Sequence, residues 1–165
     1  MSFDKSLSIV LTFEGGYSND PHDPGGETKF GISKKAYPTL DIKALTKDDA
    51  SILYKRDYWD KCHCDRWAPG VALLVFDTAV NMGIHTAIIL LQHVSGANPD
   101  GIIGPRTIEA VGRLSPSKLI QDYAAMRMLR YTNNPNWPEY KKGWTRRLFT
   151  VVTTALTTFG TRRGS

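Results

Sequence analysis

Apolar residues Phe3, Leu7, Val10 and Leu11 recur at helical spacing near the start of the chain. The pattern predicts a helix over 3–14, capped by Ser2 and stopped by Gly15 or Gly16. Glu14 extends the apolar stripe by one step. A charged residue there is either turned out at a fraying end or held in a semi-buried cleft. Residues 15–38 lose all periodicity, with turn signals at Asn19-Asp20-Pro21 and Asp23-Pro24-Gly25-Gly26. Thr46 opens a second helix, with Asp48 and Asp49 in its first turn and an apolar face of Ala50, Leu53, Tyr54 and Tyr58. Val71–Val94 is apolar nearly all round and reads as one central helix. Its polar exceptions, Asp77, Asn81 and His85, share one narrow stripe, which suits a cleft lining better than a solvent face. Gly104-Pro105 starts another helix. Two more follow at 116–131 and 140–158, separated by the breaker-rich segment 133–138. The expectation is a mainly α fold with one short irregular or β-hairpin excursion after the first helix.

Composition narrows the class. The chain has 165 residues, 41% hydrophobic and 10% aromatic, enough to bury a core and too apolar for disorder. The net charge of +5 is unevenly spread. Residues 118–165 carry nine Lys or Arg against two acids, and the rest of the chain is slightly acidic. The basic third includes Arg127, Arg130, Lys141, Lys142, Arg146, Arg147, Arg162 and Arg163. It points either to an anionic partner such as an envelope polymer or to a solvated basic face. Cys62 and Cys64 alternate, a spacing that rarely meets disulfide geometry, and the other histidines are scattered. Both thiols are therefore read as reduced and structural, with no metal and no cofactor. The N-terminus lacks the pattern of a signal peptide and no apolar run is long enough to span a bilayer. Synthesis in the cytoplasm is expected.

The opening helix and turn carry the candidate chemistry. Apolar neighbours and a helix C-terminus both favour a protonated Glu14, and a glutamic acid kept neutral near physiological pH is what general-acid cleavage of a glycosidic bond requires. Activity is then expected to fall as pH rises. Glycines allow the backbone to approach a sugar, and prolines restrict the turn. Asp23 is placed to activate a water or to face developing positive charge on the sugar, and Thr28 to orient that water. Each residue could equally bond turn backbone alone.

The stretch E-G-G-Y at 14–17, followed by D-P-G-G-E-T-K-F-G-I at 23–32, resembles the signature of glycoside hydrolase family 108. The resemblance continues through L-T-K-D-D-A-S-I-L-Y-K-R-D-Y-W at 45–59, F-D-T-A-V-N-M-G at 76–83 and L-Q-H-V-S-G-A-N-P-D-G-I-I-G-P-R-T at 91–107. It implies a lysozyme-like catalytic region over 1–90 and a helical peptidoglycan-binding-like region over 91–165, packed as one unit. It further implies an N-acetylmuramidase, many relatives being phage endolysins that act on the cell wall after release by a pore-forming partner. Glu14 matches the catalytic glutamate of the family. Asp23 and Thr28 are similar to the Asp and Thr of phage-type lysozymes, although Thr28 lies one residue closer to the aspartate than in the best-known of them. Tyr17, Trp59, Asp77 and Asn81 are assigned to substrate binding. For Asp77 and Asn81 a structural polar network is equally open, and for Trp59 a place in the core. Asp100, Gly104 and Thr107 are candidates for wall-peptide contacts, or else simply a turn and a helix start.

The expected partner is peptidoglycan, with anionic envelope polymers approached through the basic third and the protein acting as a monomer. Two other readings are open. A lytic transglycosylase uses a single glutamate and would not need Asp23. A non-catalytic basic module for wall or nucleic acid would not need Glu14. The sequence has no zinc-finger spacing, RNA-recognition signature or basic zipper, so nucleic acid is not expected as a partner.

Overall fold

The computed structural model describes residues 1–20 and 25–160. Helix α1, Phe3–Leu11, buries Leu7 and Val10 together with Ser6, whose hydroxyl bonds Ser2 O. It ends three residues earlier than its apolar stripe suggests. The N–H groups of Thr12 and Phe13 bond back three residues, to Ile9 and Val10, which tightens and closes the last turn. Glu14 therefore leaves the helix axis in a bend.

The hairpin that follows is small. Strands β1, Thr28–Lys29, and β2, Ile32–Ser33, pair antiparallel with Thr28 opposite Ser33 and Lys29 opposite Ile32. Both turn residues, Phe30 and Gly31, have positive φ (52° and 75°), the requirement of a two-residue hairpin turn that matches strand twist. Phe30 adopts this unusual conformation while its carbonyl accepts the Tyr54 hydroxyl at 2.9 Å. Helix α2, Lys47–Tyr54, starts on a complete capping box between Thr46 and Asp49. It runs into a wider π-helical turn, Lys55–Trp59.

The segment expected as one central helix is two. Helix α3, Pro69–Met82, and helix α4, Ile84–Ser95, are divided at Gly83, whose φ of 90° and ψ of 152° interrupt the helix in a conformation rarely open to other residues. Helix α5 spans Pro105–Gly112, α6 Pro116–Thr132 and α7 Trp137–Gly160. Helix α7 begins three residues before the expected position because Pro138 sits in its first turn, where a missing N–H costs nothing. Helix α3 is the hub and packs on α1, α4, α6 and α7. One apolar core runs from Leu7 to Ala155. At one end Phe3, Trp59 and Phe76 meet edge to face at 5.4–5.9 Å. Each fully buried large apolar side chain contributes about 1.5–3 kcal/mol. The fold is mostly helical, with the small antiparallel sheet as its β element, as expected.

Candidate active site

Glu14 reaches across the molecule to a residue 133 positions away. Its Oε1 accepts a hydrogen bond from Arg147 Nη1 at 2.9 Å. Arg147 projects from α7 and lies over the Phe13 ring, 5.0 Å from the centroid. Phe13 and Glu14, adjacent in the chain, thus hold the same guanidinium. On its far side Arg147 meets Asp77 of α3: Nε donates to Oδ1 at 2.9 Å. Nη2 lies 2.8 Å from the same oxygen, close enough for an ion pair but too poorly aligned for a hydrogen bond, so it is a buried donor without one. Burial works against the charge of Arg147. Asp77 and then Glu14 more than offset that, and the guanidinium is held above its ordinary range.

Asp77 is fully buried, and its other oxygen accepts from Arg127 Nη1 at 2.7 Å. Arg127, from α6 and equally buried, also donates to Thr78 Oγ1, Asn81 Oδ1 and the Tyr131 hydroxyl. Tyr131 in turn donates to Asn81 Oδ1 at 2.6 Å. A continuous polar chain therefore runs from Glu14 through Arg147, Asp77 and Arg127 to Asn81 and Tyr131.

The hairpin closes on Glu14 from the other side. A methyl group at Gly31 would stand 2.7 Å from Glu14 Oε2 and 2.6 Å from the Tyr54 hydroxyl, so only glycine permits this approach. Burial, then the charge of Glu14, pushes the Tyr54 phenol well above its usual range and keeps it a neutral donor. Glu14, Gly15, Gly16 and Phe30 line a groove of about 510 Å³ shared with α1 and the start of α2. The glycine-rich bend is thus a wall of the groove that receives Glu14.

Several expected site residues lie elsewhere. Asp77 does not face substrate, because both its oxygens are spent on buried arginines. Trp59 is 1% exposed, packed on Phe3 and Phe76 with its indole N–H on Asp65, and is a core residue. Asn81 is half-buried and belongs to the Arg127 cluster. Tyr17 is 45% exposed and its hydroxyl donates to Glu27. Thr28 donates to Gly26 O at 3.1 Å, a bond within the turn. Asp23 lies outside the described residues. Asp100 and Thr107 both accept from Gln92, whose own carbonyl takes the Gly101 N–H, so they clamp a loop; Gly104 is the N-cap of α5. Cys62 and Cys64 are buried free thiols. Among the described residues no His, Cys, Asp and Glu group is arranged to hold a metal ion.

Arg147 and Arg127 were hidden in the basic third of the chain, yet helical spacing marks them. Arg147 falls beside the half-buried Trp144 and the buried Leu148, Val151 and Ala155 on the inner stripe of α7, and Arg127 lies between Tyr123 and Tyr131 on α6. The stripe test that singles out Glu14 applies equally to these two.

The family model for glycosyl hydrolase 108 matches residues 7–83, and one for a predicted peptidoglycan domain matches residues 86–149. No curated protein matches the chain. Among solved structures, Brucella abortus SagA is similar over 94% of both chains, at 33% identity and a TM-score of 0.85. The chain belongs to the glycosyl hydrolase 108 family. It is accordingly a glycoside hydrolase with peptidoglycan as its substrate. The boundary between the two matched segments falls at the Gly83 break between α3 and α4. In this member of the family the polar chain crosses that boundary, since Glu14 and Asp77 lie in the first segment and Arg127 and Arg147 in the second. No helix among the described residues is long and apolar enough to cross a membrane.

Proposed function

We propose that the protein is an N-acetylmuramidase that hydrolyses the β-1,4 bond between N-acetylmuramic acid and N-acetylglucosamine. The single observation that carries this reading is the placement of Glu14: a carboxyl group at the wall of a groove, with one oxygen on Arg147 and the other against the hairpin. Glu14 donates its proton to the glycosidic oxygen as the bond breaks, and Arg147 stabilises the carboxylate that remains. Asp23, close in sequence to the hairpin, and Thr28, the first residue of β1, serve the attacking water or the positive charge on the sugar. Tyr17 offers an exposed aromatic face on the same loop. No cofactor takes part in this scheme.

The basic surface favours approach to anionic envelope polymers, through Arg130, Lys141, Lys142 and Arg146, which are exposed. Acting on the wall as a monomeric endolysin, the protein lyses bacterial cells.

Digestion of purified sacculi tests the reading. Mass analysis should show fragments with reducing muramic acid ends. Anhydro ends, lighter by one water, would instead assign a lytic transglycosylase. Glu14→Gln should lower turnover by about 10²–10⁴-fold with an unchanged circular dichroism spectrum. Undiminished lysis by that variant would leave a binding module in place of an enzyme.

A further inference from the structure

A second cavity lies at the other end of the polar chain. Its volume is about 650 Å³, more than that of the groove at Glu14, and α3, α4, α6 and the start of α7 bound it. Tyr131 and Trp144 bound one side, their faces taken up by each other (centroids 5.0 Å and planes 23° apart) and by Trp137 and Tyr140. Met82, Met126 and Leu129 add apolar surface. Asn81, Asn133 and Asn134 supply amides, and Arg130 the charge. Arg130 is exposed and, among the described residues, has no carboxylate partner. Asn134 spends only its carbonyl, on the N–H of Asn136.

We propose that this cavity is a saccharide subsite for an N-acetylated amino sugar that carries a carboxylate, on the same glycan strand that meets Glu14. The chemistry fits in three parts. The C–H faces of a pyranose pack on the thioether and aliphatic surface of Met82, Met126 and Leu129. An acetamido carbonyl accepts from a side-chain amide. A carboxylate pairs with the fork of a guanidinium. A cavity of this size, mixed lining and single cation suits one substituted sugar better than a polyanion.

Position supports the assignment independently. Asn81 and Tyr131 line the cavity and also hold Arg127, which shares Asp77 with Arg147. Trp144 precedes Arg147 by three residues on α7, about 4.5 Å along the axis. Trp144, at the edge of the cavity, and Arg147 thus lie about one turn apart on the same helix. Most of its lining lies within residues 86–149, the segment matched by the peptidoglycan domain. The inference rests on the substrate being a wall glycan, and not on which bond is cut or by what mechanism.

Calorimetric titration of the Glu14→Gln protein tests it without turnover. The probes are a peptide-free tetrasaccharide of alternating N-acetylglucosamine and N-acetylmuramic acid, and the N-acetylglucosamine tetramer, which has no carboxylate. Adding Arg130→Gln should weaken binding of the first about tenfold and leave the second unchanged. Adding Asn134→Ala should weaken both several-fold. Either substitution is on the surface, and circular dichroism should confirm an intact fold. The proposal is overturned if neither substitution alters affinity, if Arg130→Gln weakens both probes equally, or if neither probe binds without a stem peptide. Failure of the hydrolase reading registers separately, in the products released from sacculi by the parent enzyme.

Discussion

Two arginines meet one aspartate, and they show how differently the same ion pair can be used. Around Arg127 the donors are taken up within the fold: the buried Asp77, Thr78 and Tyr131 and the half-buried Asn81 form a cluster that joins α3 to α6. Around Arg147 the arrangement is asymmetric. One side is anchored on Asp77, the other is offered to Glu14 in the groove, and one donor is left without a hydrogen bond. The first region is a closed polar network that holds helices together. The second is open at one end, and the open end is where the chemistry is expected. Buried charge is costly to leave unpaired, so the closed region governs stability and the open one governs turnover.

The sharpest way to break this contrast is to remove Arg127. Arg127→Leu leaves Asp77 with one arginine, Tyr131 without its donor and Asn81 with the Tyr131 hydroxyl alone. The expected loss is about 3–5 kcal/mol of folding stability, read by urea denaturation. A loss below about 1 kcal/mol would dissolve the distinction. Arg147→Gln should reverse the pattern, with turnover on sacculi reduced about tenfold or more and stability reduced by less than in Arg127→Leu. Equal damage to stability in both variants would count against an open and a closed end. Gly31→Ala probes the hairpin side. Positive φ costs a β-carbon about 1–2 kcal/mol, and the methyl group must displace Glu14 or Tyr54. Both melting temperature and turnover should fall, and a fall in melting temperature with full activity would show that Glu14 does not depend on the hairpin.

The smallest effect concerns a peripheral pair used as a control. Hydrogen bonds from Arg56, and further from Tyr37, hold the Asp57 carboxyl below its ordinary range, against a burial effect of opposite sign. A depressed carboxylate stabilises the fold above the unfolded value, about 3.9. That contribution disappears as pH falls through the lower folded value. Asp57→Asn should therefore flatten the acid limb of a stability–pH curve below pH 4 and leave turnover at neutral pH unaltered. A change at neutral turnover would mean that the surface and the site are coupled.

Much of the fold was readable without coordinates because its determinants are local. The start of α2 at Thr46 with Asp49 in its first turn, Pro105 at the start of α5, and the apolar stripes of α1 and α2 all act within a few residues. Glu14 was marked by the same logic, as a charge ending an apolar stripe. Local rules also set the limits. The stripe of α1 outlasts the helix itself, because its last turn tightens at Thr12 and Phe13. The apolar run of 71–94 conceals a break at Gly83, since hydrophobicity does not report backbone direction. Asp77 and Asn81 sat on one face as expected, but a face does not say what covers it, and arginines from α6 and α7 do.

Which residue would meet Glu14 was beyond any local rule. Arg147 is 133 positions away, and its neighbour Arg146, identical in type, points outward instead. Chain chemistry alone established helices, turns and a conspicuous carboxyl group. Packing around α3 chose which charge that carboxyl would face, because ion pairing depends on distance and on exclusion of water, and both arise only when the helices assemble.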